Sequence, residues 1–191
     1  MTLLILGLAV FIGTHSLRIV ADDWRAKQIA DIGENRWKGL FALIALAGFV
    51  VMAWGYGLAR TGPDLWAEPL WVRHITALLT MPAFVLVVAA YVPRNHMKAA
   101  IGHPMLAGVK LWAFAHLIAN TRPGDILLFG TFLVWATIAF VASRRRDRRN
   151  RTRYPPGELS RDVLAATVGL IAWAAFAFYG HERLIGVRPF G

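Results

Sequence analysis

The chain has 191 residues, of which 57% are hydrophobic, 17% are charged and none is Cys. A soluble domain averages about 45–50% apolar and about 25% charged residues, so this composition departs toward that of a membrane protein. Intrinsic disorder is excluded because it requires low hydrophobicity. The lack of Cys excludes a disulfide scaffold and a thiolate-bound zinc or iron–sulfur centre. The length predicts one domain, residues 1–191.

Six apolar stretches approach the length of about 17–25 residues that crosses the hydrocarbon core of a bilayer. In chain order they are residues 2–20, 39–58, 75–92, 104–120, 126–143 and 163–179. The first is expected to be a retained helix and not a signal peptide, because no Lys or Arg precedes Arg18 and no small-x-small site follows. The sequence therefore predicts an all-α fold, an integral membrane bundle of six transmembrane helices.

Two prolines allow predictions about where helices begin, bend or end. Pro104 is expected in the first turn of the fourth helix, where its missing N–H costs nothing, with His103 at the N-cap or beside it. Pro82 falls inside the third stretch and is expected to kink that helix or to end it early.

The Lys and Arg residues predict the orientation, because they concentrate in cytoplasmic loops. The first, third and fifth loops, with the helix ends beside them, hold fifteen of these residues; Lys110 lies inside a helix, and five lie on the other side. Those five are Arg60, Arg73, Arg122, Arg183 and Arg188. Both termini are therefore predicted on the non-cytoplasmic side.

The arginine-rich stretch at residues 144–153 is interpreted as a stop-transfer and topology signal beside anionic lipid headgroups. Nucleic-acid binding would need interleaved aromatic residues or a recognisable fold, and only Tyr154 is nearby. The predicted partner is thus the lipid bilayer, and no nucleic acid is expected.

Two histidines lie within the predicted spans, His15 in the first and His116 in the fourth. Ionisable side chains in a span are costly and usually face a cavity, a partner or a cofactor. Two imidazoles on apolar faces of different helices match the ligand set of a b-type haem. Covalent c-type attachment is excluded, since no Cys-x-x-Cys-His is present. A helix–helix hydrogen bond is the alternative for His116.

The fourth helix presents two different faces. At about 100° per residue, His116 shares a face with Trp112, whereas His103 and Lys110, seven residues apart, share another. His103 is either a cap at headgroup level or a functional group. Lys110 either extends toward the membrane surface or pairs with a carboxylate or a haem propionate. The predicted cofactor-binding residues are therefore His15, His103, Lys110, Trp112 and His116, with His15 and His116 as metal ligands.

Four stretches of the sequence carry a family resemblance: Gly-Thr-His-Ser-Leu-Arg at 13–18, Gly-Glu-Asn-Arg at 33–36, His-Pro-Met-Leu-Ala-Gly at 103–108, and Leu-Trp-Ala-Phe-Ala-His-Leu-Ile-Ala-Asn at 111–120. The sequence resembles the NnrU family of bacterial membrane proteins over essentially its whole length. That family is associated with denitrification and nitric-oxide metabolism. The resemblance implies a multi-pass protein of the bacterial cytoplasmic (inner) membrane, with the nitrite or nitric-oxide reductase system as partner.

The same stretches are similar to plant and cyanobacterial zeta-carotene isomerase, a membrane enzyme whose b-type haem is held by two His. Its Ala-His-Ser and Trp-x-x-Ala-His motifs fall on His15 and His116. A Cys of that enzyme is replaced here by Ala113, and its further His has no counterpart near Tyr56. The resemblance therefore extends to haem binding more than to isomerase chemistry.

The ligand pair stays open at this point. The predicted spans place His15 inward and His116 outward of the midplane, roughly 10 Å apart in depth at about 1.5 Å per residue. His103 would match the depth of His15 better. The residue-specific motif match favours His116.

The function also has alternatives. The main expectation is a haem-binding membrane protein that supports nitrogen-oxide respiration. His103-Pro104 followed by Gly108 also resembles isoprenylcysteine carboxyl methyltransferases, although Gly102 replaces an Arg of that motif. A haem-dependent polyene isomerase and a cofactor-free partner protein are the remaining alternatives. Whether the chain is an enzyme is left open.

Overall fold

The computed structural model describes residues 1–190, and in that part of the chain the regular structure is entirely helical. The α-helices are α1 (Thr2–Val20), α2 (Asp22–Ile32), α3 (Glu34–Ala59), α4 (Trp71–Tyr91), α5 (His96–Ile101), α6 (Pro104–Ala119), α7 (Pro123–Arg149), α8 (Leu159–Ala175) and α9 (His181–Ile185). A π-helical turn, Phe176–Gly180, joins α8 to α9. The predicted all-α class is confirmed.

Five helical segments are long and apolar enough to cross a membrane: α1, α3, α4, α7 and the continuous stretch Leu159–Ile185. The remaining apolar helix, α6, has 16 residues and is shorter than a typical span. Many large apolar side chains of the long helices face outward, among them Leu43 at 65% exposure and Trp54 at 66%. Such an apolar exterior is what a lipid environment requires. The chain is therefore a membrane protein with five full-length candidate spans, where the sequence predicted six.

Several predicted boundaries were wrong. The arginine-rich stretch is not a loop after Ser143, because α7 continues to Arg149. Arg is a good helix former, and cations are favoured at a helix C-terminus. The first polar loop contains α2, whose first turn carries Asp22 and Asp23, where acidic groups are favoured. Of the two expectations for Pro82, an early end of α4 is excluded, since the helix runs on to Tyr91, and a kink stays a prediction.

The structure divides into two compact units. The first comprises residues 1–65 and 122–131, and the second comprises residues 66–121 and those from 132 onward. His15 belongs to the first unit, and His103, Lys110, Trp112 and His116 belong to the second.

In the first unit α1 packs closely against α3 through glycines. A Cβ on Gly55 would meet the backbone of Leu3 and Leu4, and one on Gly7 would meet the backbone of Met52. Helix association in lipid depends on such close backbone approach, because the surrounding tails are as apolar as the side chains. The α1–α3 pair is thus a rigid support for the α1 side chains.

In the second unit α4 packs against both α6 and α8. A Cβ on Gly108 of α6 would lie 2.7 Å from the carbonyl oxygen of Ala83, and one on Gly169 of α8 would lie 2.6 Å from the Cα of Val85. Both neighbours belong to α4, so α4 is the central helix that positions the other two.

We expect Gly55→Leu to destabilise the protein by at least about 1–3 kcal/mol, the usual cost of overpacking, because the atoms in its way are backbone. Gly57→Leu is the matched control: it lies in the same helix, and nothing lies within 4 Å of a Cβ placed there. Thermal unfolding in detergent should show a lower midpoint for Gly55→Leu than for Gly57→Leu. Equal midpoints would contradict glycine-dependent packing of α1 on α3.

Candidate functional site

His15 is fixed to its own helix by a backbone carbonyl. Its Nδ1 lies 2.7 Å from the carbonyl oxygen of Phe11, one turn earlier in α1. A carbonyl oxygen can only accept, so Nδ1 carries the hydrogen and donates it. In the neutral ring Nε2 then holds the lone pair. The ring also packs against Phe11, with centroids 4.2 Å apart, and edge-on against Phe41, with centroids 5.1 Å apart.

A half-open cleft of about 520 Å³ lies beside His15 in the first unit. Its wall includes the aromatic side chains of Trp37 and Phe41. Its basic residues are Arg18, Arg25 and Lys38. Two of these cations already have acidic partners: Lys38 lies 2.8 Å from Glu34, which also lines the cleft, and Arg25 lies 3.5 Å from Asp22. The cleft therefore combines an imidazole and aromatic rings with paired charges, a setting that suits a planar apolar group.

His116, on α6, has the same local arrangement as His15 on α1. Its Nδ1 lies 2.9 Å from the carbonyl oxygen of Trp112, again one turn earlier, so Nδ1–H donates and Nε2 holds the lone pair. The rings of Trp112 and His116 have centroids 5.2 Å apart. Trp112 itself packs edge-on against Phe132, at 5.5 Å. The face shared by Trp112 and His116, predicted from helical spacing, is confirmed.

His103 occupies the N-cap position of α6, with Pro104 in the first turn, as predicted. Its side chain, however, makes no cap hydrogen bond, so a capping role for the imidazole was wrong. Its Nε2 lies 2.8 Å from Oδ2 of Asp147, the acid within the arginine-rich end of α7. The hydroxyl of Tyr154 donates to the same oxygen at 2.8 Å. The carboxylate thus accepts from both neighbours, and the three residues form what we call the His103 cluster.

Lys110 lies on the same face of α6 as His103, as predicted, since both contact Phe140 of α7. The Nζ of Lys110 is 5.1 Å from the centroid of the Phe140 ring, a cation–π contact. The His103 ring meets Phe140 edge-on, with centroids 6.4 Å apart. The ion pairs found among residues 1–190 do not include Lys110. Its predicted pairing with a propionate or carboxylate stays a prediction.

Sequence reasoning missed three polar residues. Asp147 was treated as part of a topology signal, although a single acid among arginines is itself a clue that it has a specific partner. In the first unit Asp125, 4% exposed, accepts a hydrogen bond of 2.7 Å from the hydroxyl of Tyr56.

Among the described residues no cluster of three or more His, Asp or Glu has the arrangement of a metal site. A metal centre held by such a cluster is therefore not indicated, whereas paired imidazoles on a haem need no such cluster.

Burial and the hydrogen bond to Asp147 raise the pKa of Tyr154 to about 12. A free phenol ionises near pH 10, so the folded chain holds this proton more tightly than the unfolded chain does. The stabilisation is complete below about pH 10 and is lost as the pH rises through the folded value. We expect Tyr154→Phe to abolish this part of the decline in thermal stability between pH 10 and 12.

The control for that titration is Tyr91→Phe, which removes a phenol that is 74% exposed at the end of α4. This variant should lose thermal stability between pH 10 and 12 to the same extent as the wild type. If Tyr154→Phe and the wild type decline in parallel, Tyr154 does not hold its proton through Asp147.

Comparison with known proteins adds one finding. The family model described as NnrU protein matches residues 3–189 of the chain. No curated protein and no solved structure matches it. The roles of the individual histidines therefore depend on the geometry of this chain.

Proposed function

The chain belongs to the NnrU family, and from this premise we propose that it is a membrane protein that binds a b-type haem through His15 and His116. The observation that carries the proposal is the matched setting of these two imidazoles. Each lies one turn after an aromatic residue, and each donates Nδ1–H to the carbonyl of that residue. A metal-binding His commonly donates its second nitrogen in this way, which fixes the ring and makes Nε2 the ligand atom.

The donor set fits haem in a second respect. Neutral imidazole nitrogens are established ligands of haem iron, and both rings are half-buried among aromatic side chains. His103 fits less well as a ligand, because its Nε2–H donates to Asp147. This contrast supports His116 over His103 as the partner of His15.

The residues of the chain would hold the group as follows. Nε2 of His15 and of His116 would bind the iron, while the carbonyls of Phe11 and Trp112 hold the imidazoles in the tautomer that such ligation would need. When bound, a haem with two His ligands supplies reversible one-electron transfer.

The proposed setting is nitrogen-oxide metabolism in the bacterial cytoplasmic membrane, with a nitrite or nitric-oxide reductase system as partner, as the family resemblance implies. Electron transfer to such a reductase, or its assembly, would use a haem held inside the bilayer. Both termini are proposed to lie on the non-cytoplasmic side, which requires the shorter helix α6 to cross the membrane as a sixth span. The arginine-rich end of α7 is suited to the cytoplasmic face.

An absorption spectrum of the detergent-purified protein tests the haem proposal. We expect a Soret band and, after reduction with dithionite, sharp α and β bands. His15→Ala and His116→Ala should each remove or shift these bands, and added imidazole should restore them by refilling the site. His74→Ala is the matched control, because His74 is an exposed residue of a neighbouring helix, α4.

Two results would contradict the proposal: a colourless protein after expression with ample haem, or unchanged spectra in both variants. The elution volume in gel filtration and the helical circular-dichroism signal report whether each variant is folded, so a lost spectrum in a folded variant is interpretable.

The orientation can be tested with single cysteines, because the chain has none of its own. Thr61→Cys lies in the segment between α3 and α4, and Asn150→Cys directly follows α7; both positions are exposed. We expect a membrane-impermeant thiol reagent to label Thr61→Cys in intact spheroplasts and Asn150→Cys only after the membrane is opened. The reverse pattern would invert the proposed topology.

A further inference from the structure

The second unit contains a cavity of about 150 Å³ that has His116 in its wall and extends from there to α4, α8 and the π-helical turn. A cavity of this volume accommodates a single benzene-sized ring. Its wall is aromatic on several sides: Phe84, Trp112, Trp173, Phe176 and Phe190 all line it. The size and lining therefore indicate a ligand with one planar ring.

The aromatic wall is held in place by specific contacts. The indole N–H of Trp173 donates to the hydroxyl of Thr80 at 3.1 Å, which ties α8 to α4. The rings of Phe84 and Phe176 have centroids 5.9 Å apart. Phe176 begins the π-helical turn, and such turns are frequent at functional sites because they re-aim side chains. These contacts fix the positions of the aromatic side chains around the cavity.

His181 gives the cavity a hydrogen-bond acceptor. Its Nδ1 lies 2.7 Å from the carbonyl oxygen of Val187, so Nδ1–H donates there and Nε2 is the accepting nitrogen of the neutral ring. The ring of His181 also meets that of Phe176 edge-on, with centroids 5.7 Å apart. A ligand hydroxyl would satisfy Nε2, whereas a carbonyl oxygen would not.

The two arginines that line the cavity are already paired. Arg73 lies 3.6 Å from a carboxylate oxygen of Glu68, and Nε of Arg188 donates to Glu182 at 2.7 Å. The surroundings therefore favour a neutral ligand over an anion. The cavity is lined by residues of α4, α6 and α8, apolar helices whose exposed surface suits lipid, and this favours a lipid-soluble ligand.

We propose that this cavity binds the ring of a membrane quinol, a neutral planar ring with hydroxyl groups and an aliphatic tail. Aromatic side chains enclose the ring, and Nε2 of His181 accepts a hydrogen bond from one hydroxyl. His116 is among the lining residues, so the bound ring would lie beside an imidazole assigned to haem. The binding itself does not depend on haem.

The test is a titration of the full-length protein in detergent, without oxygen, in which quenching of Trp fluorescence reports binding. The probes are a decyl-substituted benzoquinol, the corresponding quinone and decanoic acid. We expect saturable binding of the quinol, severalfold tighter than that of the quinone, because His181 accepts but does not donate. Decanoic acid should not compete.

His181→Phe should raise the Kd of the quinol about five- to tenfold, the size expected for one lost hydrogen bond, and abolish the preference for quinol over quinone. His74→Phe is the matched control and should bind like the wild type. Ala77→Phe, which fills the cavity from α4, should abolish binding while gel filtration and helicity stay unchanged.

Equal binding of decanoic acid, a wild-type Kd in His181→Phe, or binding that survives Ala77→Phe would each overturn the proposal. The titration is run on haem-loaded and haem-free preparations. A chain that binds no haem but retains the quinol would contradict the proposed function alone. A chain with the expected spectrum and no quinol binding would contradict this site alone.

Discussion

A helical carbonyl oxygen has two lone pairs, and in this chain the second one accepts hydrogen bonds from the polar side chains of the spans. His15, His116 and the hydroxyl groups of Thr14 and Ser16 all bond to the carbonyl four residues earlier. Polar groups in lipid need such partners, because no water is present to replace them. The consequence for the imidazoles is chemical as well as structural, since the bond determines which ring nitrogen carries the hydrogen and which carries the lone pair.

The contacts that pack the helices differ from the hydrogen bonds that orient the two imidazoles. The helices associate through glycines and alanines, as at Gly7, Gly55 and Gly108, where backbones approach closely. The hydrogen bonds from Nδ1 of His15 and of His116 lie within their own helices. Other polar side chains connect helices: Trp173 of α8 donates to Thr80 of α4, and in the His103 cluster His103 on α6, Asp147 on α7 and Tyr154 form a network between separate parts of the chain. There the polar contacts themselves hold the structure.

Much of the fold could be predicted from hydropathy, because apolar length largely determines which segments cross a bilayer. The shared faces of Trp112 with His116 and of His103 with Lys110 followed from the helical repeat. The pairing of His103 with Asp147 could not be predicted, because the residues are far apart in sequence and the arginines around Asp147 suggested only a topology signal. The shape of the ring-sized cavity could not be predicted either, since its wall includes Phe176 of the π-helical turn and Val187, which follows the left-handed Gly186, whose φ is 77°.

The length of α7 has a consequence for the membrane surface. Its 27 residues extend about 40 Å, whereas the hydrocarbon core is about 30 Å thick. The last turns of α7, which carry the arginines, would therefore extend beyond the apolar layer as regular helix and not as a flexible loop. Because successive residues are about 100° apart around a helix, the arginines lie on several sides of this helix end, where they could contact headgroup phosphates. Contacts between these arginines and headgroup phosphates would oppose movement of α7 along the membrane normal and would keep its apolar turns within the hydrocarbon layer.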